Sequence, residues 1–161
     1  TFLKDDARFR DEVKQANFKY YEPRTLHDSS LSLATHAIIA NDLGKFDLAY
    51  SLFKDAAEID LGPKMDTSDE GIHAAAIGGI WKSIIFGFAG IRLANGSLRI
   101  NPRLPEQWEF LSFTIYWQGQ PIKLSITQSL LTVTAANNEK ITFEVFGTTY
   151  ECTDSIEIAI K

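Results

Sequence analysis

The sequence predicts a segregated α+β chain, with helices first and a small antiparallel β-sandwich after them. Three observations carry this. Up to about residue 90, apolar side chains recur three and four apart, as on one face of a helix. From Ile91 onward they alternate with polar ones, as on a half-buried strand. Turn signals then punctuate the second half at short, regular spacing. The 161 residues suit one compact domain or two small ones. The change of period divides them into residues 1–90 and 91–161. A composition that is 45% hydrophobic and 12% aromatic can bury a core.

The elements follow in order. Residues 1 to 26 read as a short helix and then an irregular loop, because Pro23 disfavours helical backbone at Glu22. Leu31 to Leu43 reads as a helix stopped by Gly44. Lys45 to about Ile59 reads as a second helix, with Phe46, Ala49, Tyr50, Phe53, Ala56 and Ala57 on one face. The very short link predicts an antiparallel hairpin. GPKMDTSDEG is a loop, and Thr67 with Glu70 forms a capping box: each side chain satisfies the other residue's amide. A third helix is expected from about Asp69 to Phe86. Gly78 and Gly79 lie in its middle, where each glycine costs roughly 1 kcal/mol against alanine. Close packing against neighbours is the expected reason. Beyond it, NGS at 95–97, GQP at 119–121 and NNEK at 137–140 separate short alternating strands. These strands end with Ile156, Ile158 and Ile160.

Several function classes are excluded or disfavoured. The net charge is −5, and no lysine and arginine stripe could track a nucleic-acid backbone. No apolar run approaches the roughly 20 residues that cross a bilayer. A single cysteine, Cys152, permits neither an internal disulfide nor a cysteine metal set. A cytoplasmic location is expected from this and from the lack of a signal-peptide pattern. The chain begins with Thr1, so a piece of a longer protein is expected.

Two stretches crowd histidine, acid and hydroxyl groups against helix starts: TLHDSSLSLATH at 25–36 and DTSDEGIHAAAIGG at 66–79. Free amides at a helix start attract anions. His73 stands out, because the helix it opens otherwise favours small apolar residues. If His73, Ser29, Ser30 and a helix start converge, they make a phosphate pocket. Bland roles exist beside this one. Asp28, Ser29 and Ser30 serve equally as N-caps, and Asp66, Asp69 and Glu70 as favourable charge at a helix start. His36 reads as a satisfied core or interface histidine. Trp81, Trp108 and Trp117 read as core aromatics, and Lys14-Gln15 as surface. LGKFDLAYSLFKDAAEID also looks like one tetratricopeptide-type unit, but such arrays need about three repeats.

YYEPRTLHDSSLS, HAIIANDLG, DEGIHAAAIGGIW and GFAGIRLANGSLRINPRLPEQWEFLSFTIYWQG, taken in order, resemble glycoside hydrolase family sixty-five. That family includes maltose, trehalose, kojibiose and nigerose phosphorylases and some hydrolases. The resemblance implies that residues 1–90 are the last helices of an (α/α)6 catalytic barrel, and residues 91–161 a C-terminal antiparallel β-sandwich. It implies an inverting phosphorolysis of an α-glucoside to β-glucose 1-phosphate, with inorganic phosphate as co-substrate and no cofactor or metal. By the same resemblance, His73, Ser30 and Ser29 would hold the phosphate, supported by His27, Asp28 and Glu70.

The family's general acid, a glutamate, belongs upstream of this chain, so no catalytic residue is expected here and the piece alone should be inactive. Its partners would be a disaccharide and phosphate, with neither nucleic acid nor membrane. Apolar helix faces left open by half a barrel predict a homo-oligomer. Two alternatives stand beside the phosphorylase. One is a hydrolase of the same family, of α,α-trehalase or kojibiose hydrolase type, which would need a second carboxylate as base. The other is a non-catalytic carbohydrate-binding or helical-repeat module, with Trp108, Tyr116 and Trp117 as exposed platforms.

Overall fold

The computed structural model describes residues 10–27, 31–61, 71–94, 96–137 and 139–160. It divides into two compact units, Thr1–Phe88 and Ala89–Lys161. Among the described residues no helix is long and apolar enough to cross a membrane.

The first unit is helical. Helix α1 spans Asp11–Tyr21 and carries Asp11 and Glu12 in its first turn and Lys19 in its last, which suits the helix dipole. A 3₁₀ turn at Glu22–Arg24 follows. Pro23 does not expel Glu22 from helical backbone as the sequence suggests: Glu22 keeps φ −53° and ψ −54°, and its amide closes the last turn of α1 on the Phe18 carbonyl. Proline needs no amide partner in the first turn of the new helix, so it is accommodated there. Lys14 is not a free surface residue either. Its side chain is only 14% exposed and its ammonium lies 2.9 Å from Asp11.

Helix α2 spans Ser32–Asp42 and α3 spans Phe46–Ala57. Gly44, at φ +72°, ends α2. Its amide donates to Asn41 and that of Lys45 to Ala40, which satisfies two carbonyls left open at the helix end. The chain reverses there, and α3 packs antiparallel on α2. The buried stripe of α3 is Ala49, Leu52 and Ala56. Phe46, expected on that stripe, is 49% exposed. It occupies the first helical position, and side chains lean toward the N-terminus, so it projects past the end of its partner.

Helix α4 spans Ala74–Lys82 and passes into a π-helical stretch, Ser83–Phe88. The described helix therefore starts later than the expected Asp69, and Thr67 and Glu70 of the expected capping box lie outside the described residues. Only one of the two mid-helix glycines meets a neighbour. A Cβ on Gly79 would sit 2.9 Å from the Ala34 Cβ, whereas one on Gly78 would meet nothing within 4 Å. Gly79 and Ser83 lie on the face toward α2, where both meet Ala34. Trp81, two residues from Gly79 and so about 200° around the helix, is 55% exposed and touches Phe86 edge-on. It is not the core aromatic the sequence suggests.

Among the described residues the second unit holds eight strands in two sheets, ordered β1-β2-β6-β7 and β3-β4-β5-β8. They are β1 (Ile91–Ala94), β2 (Ser97–Ile100), β3 (Phe110–Trp117), β4 (Gln120–Thr127), β5 (Leu130–Ala135), β6 (Ile141–Val145), β7 (Thr148–Cys152) and β8 (Ser155–Ala159). Alternation buries Ile122, Leu124, Ile126, Leu131 and Val133 from one sheet, and Leu98, Ile100, Phe143 and Val145 from the other. The Cys152 sulfur lies 3.7 Å from the Val133 carbonyl, so β7 and β5 meet across the core. Two hairpins turn on pairs of positive φ, Gln118-Gly119 and Phe146-Gly147, the pattern that matches strand twist. The sheet is not wholly antiparallel, because β2 and β6 pair in parallel. The chain leaves for the other sheet after β2 and returns only at β6, and this long crossover permits the parallel register.

Candidate functional site

Helices α2 and α4 run in the same direction. Gly79 faces Ala34, Gly87 packs on Ile38, and the Gly87 carbonyl accepts from Asn41 Nδ2 at 3.1 Å, so residue numbers rise together on both sides. Ser83 Oγ, buried, lies 3.1 Å from the carbonyls of Ala34 and Gly79 and ties the two helices at that level. Counting about 1.5 Å per residue back to Ser32 and Ala74 puts the two helix starts at the same end, staggered by about 4–5 Å. Because α3 is antiparallel to α2, its C-terminal end belongs there too. Three elements therefore converge at one end: the start of α2, the end of α3 and the start of α4.

His73 is the residue immediately before α4, with φ −80° and ψ 76°, rather than a member of its first turn. Its partner is Asp60, just past α3. His73 Nδ1 lies 2.6 Å from Asp60 Oδ1, and the His73 amide donates to both carboxylate oxygens at 3.2 and 3.1 Å. Asp60 thereby satisfies an open amide at the α4 start from another part of the chain. The His73 side chain stays 37% exposed, so it is both anchored and accessible. The hydrogen bond from His73, against the opposing effect of partial burial, holds the Asp60 carboxyl below its ordinary range.

At the α2 start, His27 sits at φ +57°, a left-handed conformation that is uncommon outside glycine. Its Nδ1 is 3.0 Å from Ser32 Oγ, and its ring meets that of His36 edge-on at 4.7 Å. His27 Nε2 and His36 Nδ1 are both shielded from solvent, and among the described residues neither finds a hydrogen-bond partner. The sequence suggests a satisfied histidine at His36, and among the described residues its Nδ1 does not fit that expectation. Burial first, then the neighbouring His27, lowers its pKa, while Glu22 opposes them. Asp28, Ser29, Ser30 and Glu70 lie outside the described residues. Among the described residues no group of three or more histidines, cysteines and acids is placed to hold a metal.

The model of the glycosyl hydrolase family 65 central catalytic domain matches residues 2–82, and that of the family's C-terminal domain matches residues 91–152. The chain belongs to glycosyl hydrolase family 65. Kojibiose phosphorylase from Halothermothrix orenii is 45% identical over 132 residues, covering 82% of this chain and 17% of that protein. Kojibiose phosphorylase from Escherichia coli is 49% identical over 111 residues, 69% of this chain and 15% of the relative. Alpha,alpha-trehalose phosphorylase from Thermoanaerobacter brockii is 39% identical over 145 residues, 90% of this chain and 19% of the relative. A solved chain of a candidate kojibiose phosphorylase from human microbiome superposes with a TM-score of 0.91 at 32% identity, over 99% of this chain and 24% of that one. This family 65 chain therefore spans less than a quarter of the length of these relatives.

Sequence reading singled out His73 and His27 but missed Asp60, thirteen residues before His73. No spacing rule links a residue past one helix to the residue that opens the next. The available signal was weak: one acid among several at the end of a helix, just before a glycine-proline turn. Asn41 and Ser83, the buried polar residues that set α2 against α4, were missed for the same reason, since their partners are backbone carbonyls 46 and 49 residues away.

Proposed function

We propose that the full-length protein is an inverting disaccharide phosphorylase, and that this chain supplies the phosphate-holding wall of its active site. One observation carries the reading: the relatives named above are phosphorylases of disaccharides. In this reading residues 1–90 are the final helices of an (α/α)6 barrel and residues 91–161 its C-terminal domain. The anchored but accessible imidazole of His73, at an end where two helix starts meet, is the kind of group that receives a phosphate oxygen. Ser29 and Ser30, in the segment leading into α2, would donate hydroxyls or amides to the same anion, with His27, Asp28 and Glu70 behind them.

The reaction is a single displacement. A phosphate oxygen forms a bond to the anomeric carbon as the glycosidic carbon–oxygen bond breaks on the opposite face. A glutamic acid from outside this chain gives its proton to the departing sugar oxygen. An α-glucoside thus yields β-glucose 1-phosphate and a free sugar. Phosphate arrives as an anion, so no carboxylate base is needed on its side, and hydrogen-bond donors take that place. No cofactor enters this scheme; phosphate and the disaccharide are the partners, in a cytoplasmic enzyme. The isolated chain lacks the general acid and is inactive. Its open apolar strip, Ile77 and Trp81 on α4, is covered in a homo-oligomer or by the rest of the barrel.

The test is His73→Ala in the full-length protein. A charge-assisted hydrogen bond contributes roughly 1.5–3 kcal/mol, so KM for phosphate should rise on the order of 10- to 100-fold. An unchanged phosphate KM would remove His73 from the site.

A further inference from the structure

Both oxygens of the Asp60 carboxylate engage His73. An ionised carboxylate only accepts hydrogen bonds. At the 2.6 Å contact with Nδ1 the imidazole must therefore be the donor. That assigns the ring: Nδ1 carries a hydrogen held by Asp60, which leaves Nε2 as the ring nitrogen available to a further partner. The two contacts to the His73 amide, at 3.2 and 3.1 Å, fix the carboxylate against the backbone of the same residue, so side chain and main chain are held by one clamp. The clamp comes from the segment just past α3, three residues beyond its last residue Ala57. Asp60 is only 20% exposed, which limits exchange of this bond with water.

The arrangement suits an oxyanion. With Nδ1 occupied, a neutral ring offers a lone pair at Nε2 to a P–OH group, and a protonated ring offers an N–H there to a P–O⁻. Without the clamp the ring could rotate, or carry its hydrogen on Nε2 and turn the lone pair of Nδ1 inward, and half of its orientations would present the wrong group. Histidines that bind metals are oriented in the same way by an outer carboxylate.

We propose that Asp60 is the positioning residue of the phosphate site: it accepts a hydrogen bond from the Nδ1–H of His73, fixes the tautomer and rotamer of the ring, and leaves Nε2 for the oxyanion. This rests on the reading of His73 as a phosphate ligand and extends it to a residue that does not touch phosphate. Asp60 acts only through His73, so its effect must vanish when His73 is gone.

The experiment is a double-mutant cycle in the full-length protein, with Asp60→Ala, His73→Gln and the pair, reading KM for phosphate, KM for the disaccharide and kcat. Asp60→Ala should raise the phosphate KM about 10-fold, the low end for loss of an outer-shell carboxylate, with the disaccharide KM nearly unchanged. In the His73→Gln background the same change should add less than about two-fold, as expected when two residues act as one unit. Asp60→Asn keeps an oxygen for the ring and the amide and serves if the alanine variant folds poorly; its phosphate KM should rise less. Asp60→Glu should restore part of the loss. The proposal is overturned if Asp60→Ala and Asp60→Asn lower the melting temperature and leave the phosphate KM alone, or if the two mutations multiply. If His73→Gln itself leaves the phosphate KM unchanged, the reading of His73 fails first and takes this one with it.

Discussion

Gly90→Ala should be about twice as damaging as the same change at Gly96, although both glycines have positive φ, +64° and +77°. Gly96 has open space around it, with nothing within 4 Å of an added Cβ. Alanine there costs only the left-handed backbone, about 1–2 kcal/mol. At Gly90 the added Cβ would lie 1.9 Å from the Asn101 carbonyl oxygen and 2.4 Å from its carbon. Both atoms are backbone, so no rotamer relieves the clash. The segment must move, and that breaks the hydrogen bond from the Asn101 amide to the Gly90 carbonyl at 3.2 Å. It also strains Asn101 Oδ1, which accepts from the Phe146 amide at 2.7 Å and anchors the β6–β7 turn. A left-handed alanine at 1–2 kcal/mol and one or two lost hydrogen bonds at about 1 kcal/mol each sum to roughly 2–4 kcal/mol. With about 2–4 °C of melting temperature per kcal/mol for a chain of this size, Gly90→Ala should melt about 4–16 °C lower, and Gly96→Ala about 2–8 °C lower. Thermal unfolding followed by circular dichroism on both variants side by side provides the check. Equal shifts would refute the claim that the approach of residues 90 and 101 limits the fold.

Three further outcomes are expected. Asn41→Ala removes a buried donor from the Gly87 carbonyl. It should cost about 1–3 kcal/mol in a urea or thermal titration, and a cost below about 0.5 kcal/mol would mean this bond does not hold the π-helical stretch. Acid should destabilise the chain through His36, whose pKa burial and His27 lower in the folded state. The unfolded chain takes up that proton first, so stability is full above the ordinary value of about 6.5 and is lost as pH falls through the lower folded value. His36→Gln should flatten the melting temperature across that window, and an identical slope in wild type and variant would exclude His36 as the cause. Asp60 acts in the same direction further down, since its carboxyl is also lowered in the folded state. Its contribution is present above the ordinary value of about 3.9 and is lost as pH falls below it. Asp60→Asn should remove that last fall from an acid titration.

The strands were legible because burial on one face writes itself as period two. Ile122, Leu124 and Ile126 are buried while their neighbours face outward, and the hairpin glycines sit where strand twist demands positive φ. Helices α2 and α3 were legible from period and from Gly44. What stayed hidden depends on partners distant in sequence. The parallel pairing of β2 with β6 has no local signature. The exposure of Trp81 follows from which face of α4 meets α2, and that is decided by Gly79, which the sequence could not tell from Gly78. The helix starts could be seen, with His27 and His73 beside them. That they share an end follows only from the matched contacts of Gly79 with Ala34 and Gly87 with Ile38. The clamp of Asp60 on His73 joins two helix ends across a loop, a tertiary fact that no spacing encodes.

The central claim is that this wall serves phosphate, and the direct measurement is made on the full-length enzyme. It is incubated with kojibiose, trehalose, maltose and nigerose, with and without inorganic phosphate, while glucose 1-phosphate and glucose are assayed. The expected result is β-glucose 1-phosphate from one of the four, only when phosphate is present. Glucose released at the same rate without phosphate would contradict the claim and make the enzyme a hydrolase.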